Sequence, residues 1–155
     1  MIPADRLTVR AAEALSTAAE LARREGNPAV EDLHLLAALL EQDEGIIDPI
    51  LRKVGADPAV VASGVRAGLE RLPRQSGAAP AASRELVRIL DDADSEARSL
   101  GDQYVSTEHL LVALAGKAAS STSEVLAAAG ATRESLREAL TAVRGPHQVT
   151  DQEAE

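Results

Sequence analysis

Hydrophobic residues recur three and four positions apart along most of this 155-residue chain, with polar residues between them. That spacing places apolar side chains on one face of an α-helix. One stripe runs from Leu7 to Leu21 and a similar one from Leu86 to Ala97, and shorter, more apolar stretches follow each of them. No run of residues alternates convincingly with a period of two. The pattern predicts an all-α protein with no sheet.

The chain also contains an internal repeat. A shift of 75 positions aligns identical residues without gaps, namely Leu15 with Leu90, Gly26 with Gly101, His34-Leu35-Leu36 with His109-Leu110-Leu111, and Gly55 with Gly130. Repeated units of this kind commonly stack to share one core. We therefore predict eight helices, arranged as two four-helix repeats that are related by a pseudo-twofold axis and packed into one domain.

The boundaries follow from composition and from helix-ending signals. Repeat 1 is predicted to span about residues 5–72 and repeat 2 about residues 83–145, with a flexible joint at 73–82 that contains Pro, Gly and Ala. The predicted domain thus covers residues 1–145. Residues 146–155 are polar and acidic, and we expect them to form a linker or tail.

Several residues are suited to begin a helix, because a short polar side chain can accept a hydrogen bond from a free amide of the first turn. The predicted N-caps are Asp57, Ser83, Ser106 and Thr132. Pro58 suits the first helical position after Asp57. Ser121 stands three residues before Glu124, which suggests a capping box there.

Composition narrows the classes of function. The chain has 25 acidic and 16 basic residues, a formal net charge of −9, and one Tyr as its sole aromatic residue, so neither phosphate binding nor base stacking is expected and nucleic acid is excluded as a partner. The absence of Cys excludes disulfides and thiolate metal sites. The longest apolar run, Leu35 to Leu40, is too short to cross a membrane. Because no secretory signal is recognisable, we expect no membrane partner and a cytoplasmic location.

Three segments carry a resemblance to a known family: Leu7-Thr8 before a long helix, DLHLLAALL at 32–40, and GDQYVSTEHLL at 101–111. Their order, spacing and duplication resemble the Clp repeat N-terminal domain of the Clp/Hsp100 family. The resemblance extends over about residues 5–151. The segments RLP at 71–73 and RGPHQVTD at 144–151 are most similar to the disaggregase branch of that family.

The resemblance implies a function. In this family the domain precedes two ATP-hydrolysing AAA+ ring modules that assemble into a hexamer and thread aggregated proteins through a pore. Gly116-Lys117 lacks the spacing of a phosphate-binding loop, so this chain is not the motor. It resembles the non-enzymatic module that binds unfolded or aggregated polypeptides, with adaptor proteins as further possible partners. ATP and Mg²⁺ would be cofactors of the ring modules only, and the fragment alone would be a monomer.

Polar candidates for binding substrate protein come from the same resemblance. Thr8, Asp102 and Glu108 match positions where the family carries polar residues implicated in substrate handling. Each also has a structural interpretation: Thr8 as a helix cap, Glu108 as an acidic residue in a first helical turn, and Asp102 as a turn residue after Gly101.

Apolar candidates are Leu90 and Tyr104. Leu90 matches a position that lines a shallow apolar groove in the family, but it also lies on the core stripe of its helix and mirrors Leu15. The family often has a second apolar residue two positions later, where this chain has Asp92. Tyr104 is either a packing residue in a turn or a contact at the rim of the groove.

Two alternatives remain open from the sequence. The chain could be the adaptor-docking domain of a Clp ATPase that is linked to a protease. A small helical enzyme that uses acidic residues is the other alternative, and it would need a pocket with perturbed carboxylates. His34 and His109 occupy equivalent places, but each lacks a second ligand at helical spacing, so we predict structural histidines and no metal site.

Overall fold

The computed structural model describes residues 2–75, 77, 79–116, 120–145 and 147–153. These residues form eight α-helices, which confirms the predicted helix number and class. The helices are α1 (Val9–Arg24), α2 (Asp32–Glu41), α3 (Ile47–Lys53), α4 (Pro58–Glu70), α5 (Arg84–Ser99), α6 (Thr107–Gly116), α7 (Ser121–Ala128) and α8 (Arg133–Arg144). Helices α1–α4 belong to repeat 1 and α5–α8 to repeat 2. A short 3-10 helix, Ala4–Arg6, precedes α1.

The prediction of no sheet is wrong. Strand β1 (Ala29–Val30) pairs in parallel with strand β2 (Ala81–Ala82), with Ala29 opposite Ala81 and Val30 opposite Ala82. Two-residue strands are too short to show an alternating pattern, and the pairing joins residues about 50 positions apart, so the sequence carried no local signal for it. Strand β2 lies inside the predicted joint, whose last residues are therefore held against repeat 1.

A second parallel pairing reveals the pseudo-twofold axis. Leu7 forms an isolated bridge with Val105. Moving Leu7 forward and Val105 back by 75 positions gives Ala82 and Val30, which are the paired residues of β2 and β1. In each case the residue two positions before the first helix of one repeat pairs with the residue two positions before the second helix of the other. The two repeats are therefore exchanged by a pseudo-twofold rotation, as predicted.

Hydrogen bonds reproduce this equivalence. The Thr8 amide donates to the Val105 carbonyl at 3.0 Å, and the Ser83 amide donates to the Val30 carbonyl at 3.0 Å. Thr8 and Ser83 are also the N-caps of α1 and α5, where their side chains accept from amides three residues later. The start of each repeat is thus fixed by the opposite repeat.

The core is built around the second helix of each repeat. Eight of the ten residues of α6 are buried, and α2 is nearly as enclosed. Six of the leucines in these two helices are fully buried: Leu35, Leu36, Leu39, Leu110, Leu111 and Leu114. Each buried leucine contributes roughly 1.5–3 kcal/mol. Helices α1, α4, α5, α7 and α8 pack around this pair.

Most of the predicted caps are observed. Asp57, Ser83 and Thr132 each accept a first-turn amide, and Ser106 directly precedes α6. The capping box at Ser121 is wrong, because the side chain that accepts the first-turn amide of α7 is that of the preceding residue, Ser120. Adjacent serines offer the same chemistry, so the sequence pattern did not distinguish them.

Within the described ranges, no single helix is long and apolar enough to cross a bilayer. Helices α6 and α7 have the necessary length and composition only together, as a pair bent by 93°.

Candidate functional site

An apolar groove of about 320 Å³ lies between the two repeats. Its lining includes two pairs of residues that the repeat makes equivalent, Leu7 with Ala82 and Leu15 with Leu90. The groove therefore lies close to the pseudo-twofold axis, where the first helix of each repeat faces the other. Neither repeat contains this surface alone.

Leu90 combines the two interpretations that the sequence left open. It is only 3% exposed and belongs to the core, yet it also lines the groove. Leu86, one turn earlier on α5, lines the groove beside it. Asp92 is half-buried and is absent from the lining residues. The apolar face of α5 at the groove thus comes from a pair spaced four apart, and Asp92 does not interrupt it.

Thr8 and Tyr104 lie next to the Leu7–Val105 bridge. Thr8 is fully buried, and its hydroxyl accepts the Ala11 amide at 3.1 Å as the N-cap of α1. Tyr104 is half-buried and directly precedes Val105. Both residues therefore border the bridge that fixes Leu7, a residue of the groove lining.

Asp102 lies at the centre of a buried polar cluster. Its carboxylate accepts two hydrogen bonds from the Arg144 guanidinium, at 2.6 and 2.8 Å, and one from His109 Nε2 at 2.7 Å. It also accepts the Val149 amide at 2.8 Å. Burial alone would raise the pKa of Asp102, but these hydrogen bonds outweigh burial and hold that pKa below its ordinary value. The carboxylate is therefore charged, and both of its oxygens accept hydrogen bonds from these partners.

Glu108 belongs to the same cluster. It is 6% exposed, accepts the Ser106 hydroxyl at 2.8 Å, and lies 3.6 Å from Arg144. Arg144 thus contacts both Asp102 and Glu108, and the structure brings these two predicted site residues together. It places them below the surface, and neither of them lines the groove.

Within this cluster a Ser–His–Asp arrangement occurs. Ser106 Oγ lies 3.0 Å from His109 Nδ1, and His109 Nε2 lies 2.7 Å from Asp102. However, His109 Nδ1 already accepts the Ser106 amide at 2.8 Å, and the Ser106 hydroxyl donates to Glu108. Both Ser106 and His109 are fully buried. The arrangement caps α6 and offers no accessible nucleophile.

Repeat 1 contains the equivalent histidine. His34 Nδ1 accepts the Glu31 amide at 2.8 Å, and its Nε2 bonds Asn27 at 2.8 Å. Burial lowers the pKa of His34, so the neutral ring is favoured. The structural role predicted for both histidines is confirmed by these contacts. Across the described ranges, no cluster of three or more His, Asp or Glu residues is suited to hold a metal ion.

The sequence did not predict that residues 147–153 pack against the domain. Residues 147–153, here called the tail, return along the surface, and Val149 is buried. The Gln103 amide donates to the Val149 carbonyl at 2.7 Å, and the Val9 amide donates to the Gln152 carbonyl at 2.8 Å. A weak signal was available, because Val149 is the one large apolar residue in an otherwise polar stretch.

A larger depression, of about 470 Å³, lies between α5, α8 and the tail. Its lining includes Glu96, Arg137 and Arg144. Glu96 is buried, and Arg137 donates to it at 2.6 and 3.2 Å. Burial opposes ionisation of Glu96, but the bonds from Arg137 hold its pKa below the ordinary value. The lining charges are thus paired within the domain, and the smaller groove is the more apolar surface.

Comparisons with known proteins give a consistent result. The family model for the Clp repeat (R) N-terminal domain matches residues 6–129. The chaperone protein ClpB of Propionibacterium freudenreichii is 42% identical over 154 residues, which cover 97% of this chain and 18% of that protein. ClpB of Mycobacterium tuberculosis is 41% identical over 150 residues, covering 96% and 18%. The chain thus spans about a fifth of the length of these relatives.

Solved structures share the fold. The Hsp104 N-terminal domain of Candida albicans superimposes with a TM-score of 0.85 at 21% identity, over 96% of this chain and 97% of that one. The ClpV N-domain solved in complex with a VipB peptide gives a TM-score of 0.71 at 20% identity, over 88% and 86%. At these identities the likeness establishes the architecture, two four-helix repeats in one domain.

Proposed function

The chain belongs to the Clp repeat N-terminal domain family, and from that premise we propose that it is the substrate-recognition domain of a ClpB-like, ATP-dependent protein disaggregase. It binds exposed segments of unfolded or aggregated proteins in the cytoplasm and passes them to an AAA+ ring. ATP and Mg²⁺ belong to that ring, which is hexameric in the parent protein. The domain itself is non-enzymatic.

The observation that carries the proposal is the apolar groove between the repeats. A cleft lined by Leu7, Leu15, Leu86 and Leu90 is suited to aliphatic side chains of a polypeptide that has lost its own core. The groove is shallow and small, so it buries only a few side chains at a time, and binding is weak and reversible. Weak binding is appropriate for a domain that must release its substrate to a pore. The ClpV N-domain, which shares the fold, has been solved with a bound peptide.

The five predicted site residues take different parts in this proposal. Leu90 contacts substrate directly through the groove, and Tyr104 offers its ring at the rim. Thr8, Asp102 and Glu108 are buried and act as positioning residues, because they fix the start of α1 and α6 on either side of the Leu7–Val105 bridge. Substitution of these three therefore affects substrate binding through the shape of the groove.

A charge placed in the groove tests the proposal. Ala19 is exposed and lines the groove, so Ala19→Glu adds a carboxylate without leaving a cavity. Ala12, exposed on the same helix, is absent from the groove lining, and Ala12→Glu is the matched control. We expect Ala19→Glu to weaken binding of a fluorescein-labelled unfolded polypeptide about tenfold or more, because substrate that covers the groove must desolvate the added carboxylate. Fluorescence anisotropy measures the Kd.

A comparison of the Kd values of the two variants decides whether the groove is the binding surface. Equal affinity of the two variants for the unfolded polypeptide would show that the groove is not the binding surface. Circular dichroism on both variants checks that the helices are retained.

A further inference from the structure

The tail is held by a defined strip of the domain surface. We call this surface the tail strip; it consists of Asp102, Gln103 and residues 5–9. Asp102 accepts the Val149 amide at 2.8 Å while Gln103 donates to the Val149 carbonyl at 2.7 Å. Both backbone groups of a single tail residue are thus bound, as they would be in an added β-strand.

A second contact point lies three residues further along the tail. The Gln152 carbonyl accepts the Val9 amide at 2.8 Å, and the Gln152 side-chain amide donates to the carbonyls of Leu7, at 3.3 Å, and Asp5, at 3.1 Å. Between the two contact points, Thr150 and Asp151 are exposed. The strip therefore binds Gln152 through its side chain and backbone and Val149 through its backbone, while the Val149 side chain is buried.

The strip is also held by contacts other than those to the tail. Asp102 is fixed by Arg144 and His109, and residues 6–8 are fixed by the parallel pairing with Val105 and by the cap of α1. Because these contacts hold the strip in place, its hydrogen-bonding groups stay aligned when the tail leaves. A preformed strip of this kind binds extended chains with little ordering cost on its own side.

We propose that the tail strip is a binding site for extended polypeptide segments with an apolar residue followed three positions later by glutamine. The tail is its resident occupant, and a segment of another polypeptide replaces it. The site shares only Leu7 with the apolar groove and differs from it in chemistry, since it binds the tail mainly through hydrogen bonds to backbone amides and carbonyls. This inference does not depend on the function proposed for the groove.

Competition from the tail sets the expected affinity. The tail is joined directly to α8, so its effective concentration at the strip is about millimolar. An added peptide binds only to molecules whose tail has left the strip. Its apparent Kd is therefore the intrinsic Kd divided by the fraction of molecules in which the tail is detached. Weakening the tail by substitution therefore strengthens binding of a peptide in trans, which is the opposite of what damage to a binding site would do.

The test uses a fluorescein-labelled peptide that copies residues 147–153, with the full chain as receptor. The double variant Val149→Ser, Gln152→Ala weakens the tail and leaves the strip intact. We expect it to bind the peptide about tenfold or more tightly than the unaltered chain. Val143→Ser is the matched control, because Val143 is exposed on α8 and lies outside the tail, and it should bind like the unaltered chain.

A second peptide that carries the same two substitutions tests recognition, and it should bind at least tenfold more weakly than the first. In amide NMR spectra of the double variant, the first peptide should shift Gln103 and Val9. Failure of the double variant to bind the first peptide more tightly would overturn the proposal, as would equal binding of both peptides. Shifts confined to Leu86 and Leu90 would assign the peptide to the groove and would also overturn it.

Discussion

The two repeats share a backbone design but differ in the chemistry at three equivalent positions. Repeat 1 has Asn27, Leu33 and Leu69 where repeat 2 has Asp102, Glu108 and Arg144. Asn27 bonds His34 and donates to the Pro73 carbonyl at 3.0 Å, and so holds the segment that follows α4. Asp102 bonds His109 and accepts the Val149 amide, and so holds the segment that follows α8.

We call the residues that hold the segment after the last helix of each repeat the clasp of that repeat. The comparison shows that one scaffold supports a neutral clasp, centred on Asn27, and a charged clasp formed by Asp102, Glu108 and Arg144. Leu33 is buried in the core and Leu69 packs against it, so repeat 1 closes with apolar contacts. In repeat 2 the same places carry a carboxylate and a guanidinium, which gives Asp102 a cationic partner. A charged clasp makes stronger hydrogen bonds to the backbone than a neutral one. However, removal of one of its charged partners leaves the other buried without a counter-charge, which destabilises the fold.

The largest effect is expected from removal of the clasp residues. Asp102→Ala leaves the largely buried Arg144 guanidinium without its main partner and should lower the free energy of unfolding by about 3–5 kcal/mol. Asn27→Ala removes a neutral group and should cost about 1–3 kcal/mol. Urea denaturation of the two variants measures the difference. Equal losses of unfolding free energy in the two variants would mean that the charged residues of repeat 2 contribute no more to stability than the neutral residues of repeat 1.

Thr8 and Ser83, the N-caps of α1 and α5, occupy equivalent positions in the two repeats, and substituting each of them compares the repeats at a second place. Thr8→Ala and Ser83→Ala each remove a first-turn acceptor, and each should cost about 0.5–2 kcal/mol. Thr8 is fully buried while Ser83 is half-buried, so Thr8→Ala should be the more destabilising of the two. Thermal and urea unfolding give the ranking. The reverse order would show that burial of the cap does not decide how much it stabilises the domain.

Much of this arrangement was predictable from the sequence because its causes are local. Helical stripes, the glycine pairs and the caps depend on neighbouring residues, and the repeat is a direct comparison of the chain with itself. Gly26 and Gly101, for example, have φ of +70° and +75°, a conformation that glycine adopts without strain. Thr8 was correctly considered as a cap on the same grounds.

The features that the sequence missed join distant parts of the chain. Arg144 contacts Asp102 across 42 positions, and β1 pairs with β2 across the whole of α2–α4. The start of α7 depends on Asp32, which accepts the Thr122 amide and hydroxyl at 3.1 Å from the opposite repeat. Leu90 could be placed on an apolar face, but its exposure to a groove depends on how the repeats pack together.

Acidification should affect the repeats in different pH ranges. The pKa of His34 is lowered on folding, so the unfolded chain binds its proton more readily, and stability falls as pH drops below the unfolded value of about 6.5. The pKa of Asp102 is also lowered, but its contribution is lost only below the unfolded value of about 3.9.

The first loss of stability on acidification should therefore come from repeat 1. Urea midpoints at pH 7.5 and 5.5 measure it in the unaltered chain and in His34→Gln, where the dependence should be smaller. His147→Gln, at an exposed position in the tail, is the control and should keep the full dependence. An unchanged slope in His34→Gln would assign the loss to another group.

The smallest effect is expected from making repeat 2 resemble repeat 1 at a single position. Glu108→Leu copies Leu33 and removes an acceptor that lies 3.6 Å from Arg144, while Arg144 keeps both hydrogen bonds to Asp102. The Ser106 hydroxyl loses its acceptor, because His109 Nδ1 already accepts the Ser106 amide. No buried charge is left unpaired, and the loss of one hydrogen bond, about 1 kcal/mol, is partly offset by the apolar surface that the leucine buries, so the free energy of unfolding should change by less than about 1 kcal/mol. A loss of several kcal/mol, measured by urea denaturation, would show that Glu108 is an essential member of the clasp and that the charged clasp has two carboxylates at its centre.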